Sequence, residues 1–128
     1  MIVLDTHAWI WWVTEDRRLS KRARQAIKRA PVLGVCAISV WETAMLVARG
    51  RLRLDRDVKS WVREALAVER LDLMPLTPDV AITAALLGSA IHSDPADRMI
   101  IATALEHDAT IVTKDDAIAR AGIVRCVW

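Results

Sequence analysis

Short apolar runs alternate with stretches of helical spacing along the whole chain. Ile2–Leu4 is a brief apolar run closed by Asp5. Behind Ser20, the residues Ala23, Ala26, Ile27 and Ala30 recur at helical spacing, which predicts a capped helix over 20–30. Val32–Ile38 is rich in β-branched residues and predicts a buried strand. Ser39–Ala48 has helical spacing and stops at Gly50. Val58–Val68 follows suit after Asp57, a cap residue. Leu71–Leu76 predicts a short strand, and Thr77-Pro78 opens a helix running to about Ala90, with proline in its first turn. Asp94-Pro95 opens the next helix, to about His107. Thr110–Thr113 predicts a strand, Asp116–Arg120 a short helix and Ile123–Val127 a final strand. No internal repeat or linker interrupts this order.

Five apolar runs separated by helices predict βα units in a mostly parallel sheet with helices on both faces. Right-handed crossovers leave few topologies, and in such folds function gathers at the carboxyl ends of the strands. The 128 residues predict one domain over 1–128. The longest apolar runs, Ala8–Val13 and Met99–Leu105, hold six and seven residues, far short of a membrane span. Met1-Ile2-Val3-Leu4-Asp5 lacks the basic segment of a signal peptide, so a cytoplasmic protein with no membrane partner is expected.

Composition, at 54% apolar and 27% charged, excludes a disordered chain. Cys36 and Cys126 stand far apart, each in an apolar stretch, and read as buried free thiols. The histidines His7, His92 and His107 are scattered, which argues against a zinc site. Net charge is only +2, but residues 1–70 hold 14 Lys/Arg against 8 Asp/Glu, whereas residues 71–128 hold 4 against 8. The basic excess lies at Arg17–Arg29 and Arg49–Arg56. It fits a polyanionic partner, although charge alone favours a solvated helix face and a charged loop.

Acids follow the predicted strands. Asp5 ends the first, Glu42 stands four residues past the second, and Asp94 and Asp97 open a later helix. Asp115 and Asp116 follow Thr113. Carboxylates converging on one sheet edge must take up protons or bind a cation, and hard oxygen ligands with no His or Cys point to Mg2+ or Mn2+ rather than zinc. Each acid also has a structural reading. Ser39-Val40-Trp41-Glu42 spells a capping box, Asp94-Pro95-Ala96-Asp97 spells a helix start, and Asp115 or Asp116 can cap the helix that follows. Asp5 has less structural use, though it can cap a helix after the first strand.

These stretches resemble the PIN-domain ribonucleases, and within them the VapC-type toxins of toxin–antitoxin pairs. The resemblance is carried by Ile2-Val3-Leu4-Asp5-Thr6-His7, Ile38-Ser39-Val40-Trp41-Glu42, Gly50-Arg51-Leu52, Asp94-Pro95-Ala96-Asp97-Arg98-Met99-Ile100-Ile101-Ala102-Thr103-Ala104 and Val112-Thr113-Lys114-Asp115. It implies a three-layer α/β/α sandwich around a parallel sheet of four to five strands. It implies a metal-dependent endoribonuclease in which Mg2+, with Mn2+ able to substitute, activates the attacking water. By position, Asp5, Glu42 and Asp97 look like the family's core acids and Asp115 like its more variable fourth. Asp94, Thr6 and Thr113 match supporting positions. The implied partners are an RNA substrate, a small antitoxin that blocks the site with an apolar helix, and a second copy of this chain.

Several neighbours carry narrower expectations. Lys114 can meet phosphate or a carboxylate, and Arg98 is expected to neutralise an adjacent acid, because consecutive helix residues point apart. The six tryptophans, Trp9, Trp11, Trp12 and Trp41 among them, are expected to pack in the core; an interface or base stacking are the alternatives. His7 reads as a packed side chain rather than a ligand. Two other classes compete for this pattern. A receiver needs an acceptor Asp after Leu71–Leu76, where Thr77 stands. A haloacid-dehalogenase-type phosphatase needs Asp-x-Asp, where Asp5-Thr6-His7 stands. A non-catalytic binding module would have no use for the full acid set.

Overall fold

A computed structural model describes residues 1–128. In chain order the elements are β1 (Ile2–Leu4), α1 (Thr6–Val13), α2 (Lys21–Arg29), β2 (Leu33–Cys36), α3 (Ala37–Ala48), α4 (Val58–Leu66), β3 (Leu71–Met74), α5 (Pro78–Ala85), α6 (Pro95–Glu106), β4 (Thr110–Val112), α7 (Asp116–Ala121) and β5 (Cys126–Val127). The strands form one five-stranded sheet in the order β3-β2-β1-β4-β5, and every pairing is parallel. No helix is long and apolar enough to cross a membrane.

The central strand explains the layering. Successive side chains of a strand point to opposite faces. Leu4 packs into one apolar cluster with Trp9, Ile27, Leu33, Val35 and Trp61, under α1, α2 and α4. Val3 packs into a second with Ile100, Ile101, Ile111 and Ile118, under α6 and α7. Both residues are fully buried, each contributing about 1.5–3 kcal/mol. A strand covered on both faces reads as a continuous apolar run, which is why Ile2–Leu4 does not alternate. The α/β/α sandwich expected from the sequence is the architecture found.

Register decides where chemistry can gather. Leu4 lies opposite Val35 on one side and Val112 on the other. The residues just beyond these positions therefore leave the sheet at one edge.

Three boundaries differ from expectation for physical reasons. α1 begins directly after Asp5, whose side chain accepts from the Thr6 N–H. Ala8, Trp9, Ile10 and Trp11 are all buried, so this helix has no polar stripe to betray its period. α3 starts at Ala37, immediately after β2, so Ser39 lies inside the helix and the Ser39–Glu42 capping box does not form. α5 ends at Ala85 rather than Ala90. The Arg98 guanidinium draws off the Ala84 carbonyl at 3.0 Å, and Gly88 turns the chain at φ +79°. Elsewhere the caps sit where the sequence puts them: Ser20, Asp57, Thr77 and Asp94 each accept from the backbone N–H three residues on.

Candidate active site

Strand ends and helix starts converge on one cavity of about 450 Å³. Asp5, Glu42, Asp94, Asp97 and Asp115 line it, with His7, Trp11, Lys114 and Trp128 around them. Asp5 arrives at the end of β1, Glu42 in the second turn of α3, Asp94 and Asp97 at the start of α6, and Asp115 just past β4. Asp116 is exposed and outside this lining. A larger cleft of about 740 Å³ opens elsewhere, beside Trp12, Trp61 and Arg56. Its three acids, Glu15, Asp55 and Glu64, share the cleft with Arg53 and Arg56, and Arg56 pairs with two of them, so it lacks the crowded negative charge of the smaller cavity.

Hydroxyls fix the deepest acids. Thr113 donates to Asp5 Oδ2 at 2.7 Å and accepts from the Asp115 N–H at 3.0 Å. Asp5 Oδ1 accepts from the Thr6 N–H at 2.7 Å. The Thr6 hydroxyl lies 2.5 Å from Glu42 Oε1 and 2.9 Å from the Ser39 hydroxyl. It has one proton, so donation to Glu42 leaves Ser39 as donor to Thr6. Thr6, Ser39 and Thr113 are all buried, and these bonds account for their hydroxyls. The outer acids double as helix caps. Asp94 Oδ1 accepts from the Asp97 N–H at 3.0 Å. Asp115 Oδ1 accepts from the Ala117 N–H at 2.8 Å, while its Oδ2 is turned to His92 Nε2 at 3.3 Å. Capping and ligation are thus compatible roles for one carboxylate.

Crowding shows in the proton affinities. Burial holds the Asp97 carboxyl at about 7, aided by the negative charges of Asp5, Asp94 and Glu42. Asp5 and Glu42 are also raised, first by burial, although hydrogen bonds from Thr113 and Thr6 pull the other way. Such a set stays ionised together only with added positive charge. Lys114 stands exposed at the rim, 5.9 Å from the Trp11 ring, and forms no ion pair. A divalent cation is the charge these oxygens suit. The donor chemistry passes that test: His92, Asp97 and Asp115 offer ligand atoms within 4.8 Å of one another.

Some neighbours are not where the sequence suggested. Arg98 does not neutralise an adjacent acid. Pointing away from Asp97, it donates to the carbonyls of Ala84, Gly88 and Ile91 at 3.0–3.1 Å and ties α6 to the end of α5. Trp41 is not in the core: it is 57% exposed and lines a cleft with Ile38, Met45, Arg49 and the acids Glu42 and Asp94. Trp9 and Trp11 are buried as expected, and Trp9 stacks edge-on against Trp61. His7 packs against the Trp11 ring. Cys36 is buried, but Cys126 is only half-buried. Of the clustered arginines, Arg18 is held by Asp16, and Arg56 by Asp55 and Glu64, whereas Arg49 is unpaired beside the acids. His92 was missed. Its Nε2 lies 3.3 Å from both Asp97 Oδ2 and Asp115 Oδ2. The only sequence signal was its place two residues before Asp94.

A parallel sheet whose carboxyl edge gathers acids from four segments defines a class, and the comparisons name it. The PIN-domain family model matches residues 2–124, and the chain belongs to that family. It is 45% identical over 114 residues to Ribonuclease VapC22 of Mycobacterium tuberculosis, covering 89% of this chain and 86% of that protein. Among solved structures it resembles VapBC2 from Rickettsia felis bound to a promoter DNA fragment, with TM-score 0.71 at 15% identity over 98% of this chain and 97% of that one. It also resembles FitAcB from Neisseria gonorrhoeae, with TM-score 0.68 at 26% identity over 98% and 96%. A toxin–antitoxin complex from Klebsiella pneumoniae matches with TM-score 0.65 at 20% identity over 90% and 87%. The matches at 15% and 20% speak for the fold alone.

Proposed function

We propose that this chain is a Mg2+-dependent endoribonuclease and the toxin of a toxin–antitoxin pair. One observation carries the reading: Asp5, Glu42, Asp94, Asp97 and Asp115, drawn from across the chain, line one cavity at the carboxyl edge of the sheet. The 45% identity to Ribonuclease VapC22 supports the activity, and the resemblance of the sequence to VapC-type toxins supports the pairing with an antitoxin.

Asp5, Glu42, Asp97 and Asp115 are the proposed metal-holding and catalytic acids. Mg2+ suits a carboxylate site that leaves room for water and phosphate oxygens, and Mn2+ can substitute. A cation bound there supplies an acidified water and offsets charge building on the phosphate. The chain's own groups do the rest. Thr113 and Thr6 aim Asp5 and Glu42, as their hydrogen bonds do in the structure. Asp94 holds the first turn of α6 and so the position of Asp97. Lys114 and Arg49, unpaired at the rim, attract the RNA backbone.

The exposed Trp41, with Ile38 and Met45 beside it, is an apolar landing next to the acids and fits an apolar helix of the antitoxin. Ile82 and Leu86, one turn apart and exposed on α5 and its cap, suit a contact with a second copy of the chain.

The test is RNA cleavage by the purified chain with and without EDTA, and by Asp5→Asn and Asp97→Asn. Chelation and each substitution are expected to lower the rate roughly 100-fold or more, with the circular dichroism spectrum intact. Cleavage by either variant at the parental rate would overturn the assignment.

A further inference from the structure

We propose that His92 is a ligand of the same metal centre, which makes it a mixed nitrogen–oxygen site that favours Mn2+ over Mg2+. The inference rests on the reading of the acid cavity as a metal site and adds a residue and a selectivity to it.

The loop between α5 and α6 is built to hold this imidazole. Gly88 turns the chain in the left-handed region, and Ile91 is 3% exposed, anchored among Ile100 and Ile101. Arg98, from the first turn of α6, grips the carbonyls of Gly88 and Ile91, both at 3.1 Å. His92 is the next residue. It is thereby suspended over the start of α6, with Nε2 at 3.3 Å from Asp97 Oδ2 and 3.3 Å from Asp115 Oδ2.

The contact with Asp115 is within hydrogen-bond reach, but the pair of equal distances to two elements also fits a shared ion. An imidazole N–H bound to a carboxylate settles at about 2.7–2.9 Å and points at one oxygen. Here Nε2 is equally far from two oxygens on two different elements, and neither contact is short. Ligand atoms on adjacent vertices around a cation with bonds of about 2.1 Å stand about 3 Å apart. All three ligand atoms lie within 4.8 Å of one another. Asp115 contributes without cost to α7, because its Oδ1 makes the cap and its Oδ2 faces His92. Mg2+ prefers oxygen throughout, whereas an imidazole nitrogen raises affinity for first-row transition ions. An acid cluster completed by His92 therefore discriminates against Mg2+ in a way that carboxylates alone do not.

The experiment uses the full chain, freed of metal and titrated with Mn2+ alone, then with Mg2+ in competition. Electron spin echo spectroscopy of the Mn2+-loaded protein reads nitrogen ligation directly. We expect an imidazole 14N coupling in the parent that disappears in His92→Gln. The same variant should weaken Mn2+ binding roughly tenfold while Mg2+ binding moves less than about threefold. Absence of the coupling in the parent, its survival in His92→Gln (which would assign it to His7), or an unchanged Mn2+/Mg2+ ratio would each overturn the proposal. Mn2+ affinity unchanged in His92→Gln but lost in Asp97→Asn would leave the acid site standing without its nitrogen ligand. Mn2+ binding indifferent to Asp97→Asn would remove both.

Discussion

Thr113 and Asp5 are 108 residues apart in sequence, yet the threonine hydroxyl donates to Asp5 Oδ2 at 2.7 Å. The threonine hydroxyl oxygen in turn accepts from the Asp115 N–H, so one hydroxyl couples the ends of β1 and β4 to the cap of α7. Thr113→Val keeps the side-chain shape but strips both partners. Each is then left under-satisfied in a buried setting, at about 1–3 kcal/mol. The expected outcome is a lower melting temperature together with a rate of RNA cleavage reduced roughly tenfold. Thr113→Ser should restore both. A Val variant with parental stability and rate would show that the bond positions nothing.

Arg98 gives a second prediction, about architecture rather than chemistry. Its guanidinium satisfies the carbonyls of Ala84, Gly88 and Ile91. Lysine carries the charge but not the planar fork. Arg98→Lys should therefore destabilise nearly as much as Arg98→Ala, by about 2 kcal/mol. Amide hydrogen exchange should speed up in the 86–93 loop in both variants. If the charge alone mattered, as an adjacent carboxylate would require, Lys would behave like the parent.

These two residues also mark what could be read from the sequence. The sheet was legible, because strands covered on both faces leave unbroken apolar runs such as Ile2–Leu4. The acids were legible as a set, because parallel strands bring their carboxyl ends to one edge. α1 was not, since Thr6–Val13 is buried on nearly every side and shows no amphipathic period. Ser39 and Glu42 have the spacing of a capping box, but the helix starts at Ala37 and turns both side chains to Thr6 instead. For Arg98, local spacing gave the direction away from Asp97 correctly. Its partners are loop carbonyls that only tertiary packing brings near. His92 escaped for the same reason: nothing in Ile91-His92-Ser93 says that Arg98 will hold that loop above Asp97.

Charge at the rim sets RNA affinity, and the structure separates free cations from committed ones. Arg49 and Lys114 are unpaired beside the acids, while Arg56 is held by Asp55 and Glu64. Binding to a short RNA, measured in EDTA so that no cleavage follows, should weaken linearly in log Kd against log salt. Arg49→Ala and Lys114→Ala should each weaken binding and flatten the slope by roughly 0.7, the share of one single-strand phosphate contact. Arg56→Ala should leave the slope unchanged. A flat salt profile for the parent would mean that phosphate contacts contribute little.

Asp97 makes stability depend on pH in a direction opposite to most surface acids. Its native carboxyl titrates at about 7, against 3.8 ordinarily, because burial and the charges of Asp5, Asp94 and Glu42 disfavour ionisation. Between about pH 4 and 7 the native state therefore binds more protons than the unfolded chain. Stability is fullest below that interval and falls as pH rises through it. Asp5 and Glu42, also raised, push the same way. Asp16 is held down to about 2 by Arg18, so its contribution is lost only as pH falls below the ordinary carboxylate range. In EDTA, the melting temperature should therefore drop from pH 5 to pH 8. Asp97 is partly solvated, so the screened loss is nearer about 2 kcal/mol than the full shift implies, which amounts to a few degrees. Asp97→Asn, with no proton to lose, should be more stable than the parent at pH 8 and should flatten the profile. Saturating Mn2+ should rescue the parent at pH 8 but not the Asn variant, because a cation binds the ionised cluster and pulls the equilibrium toward the folded state. A parent whose melting temperature rises from pH 5 to pH 8 in EDTA would show that the acids do not crowd one another.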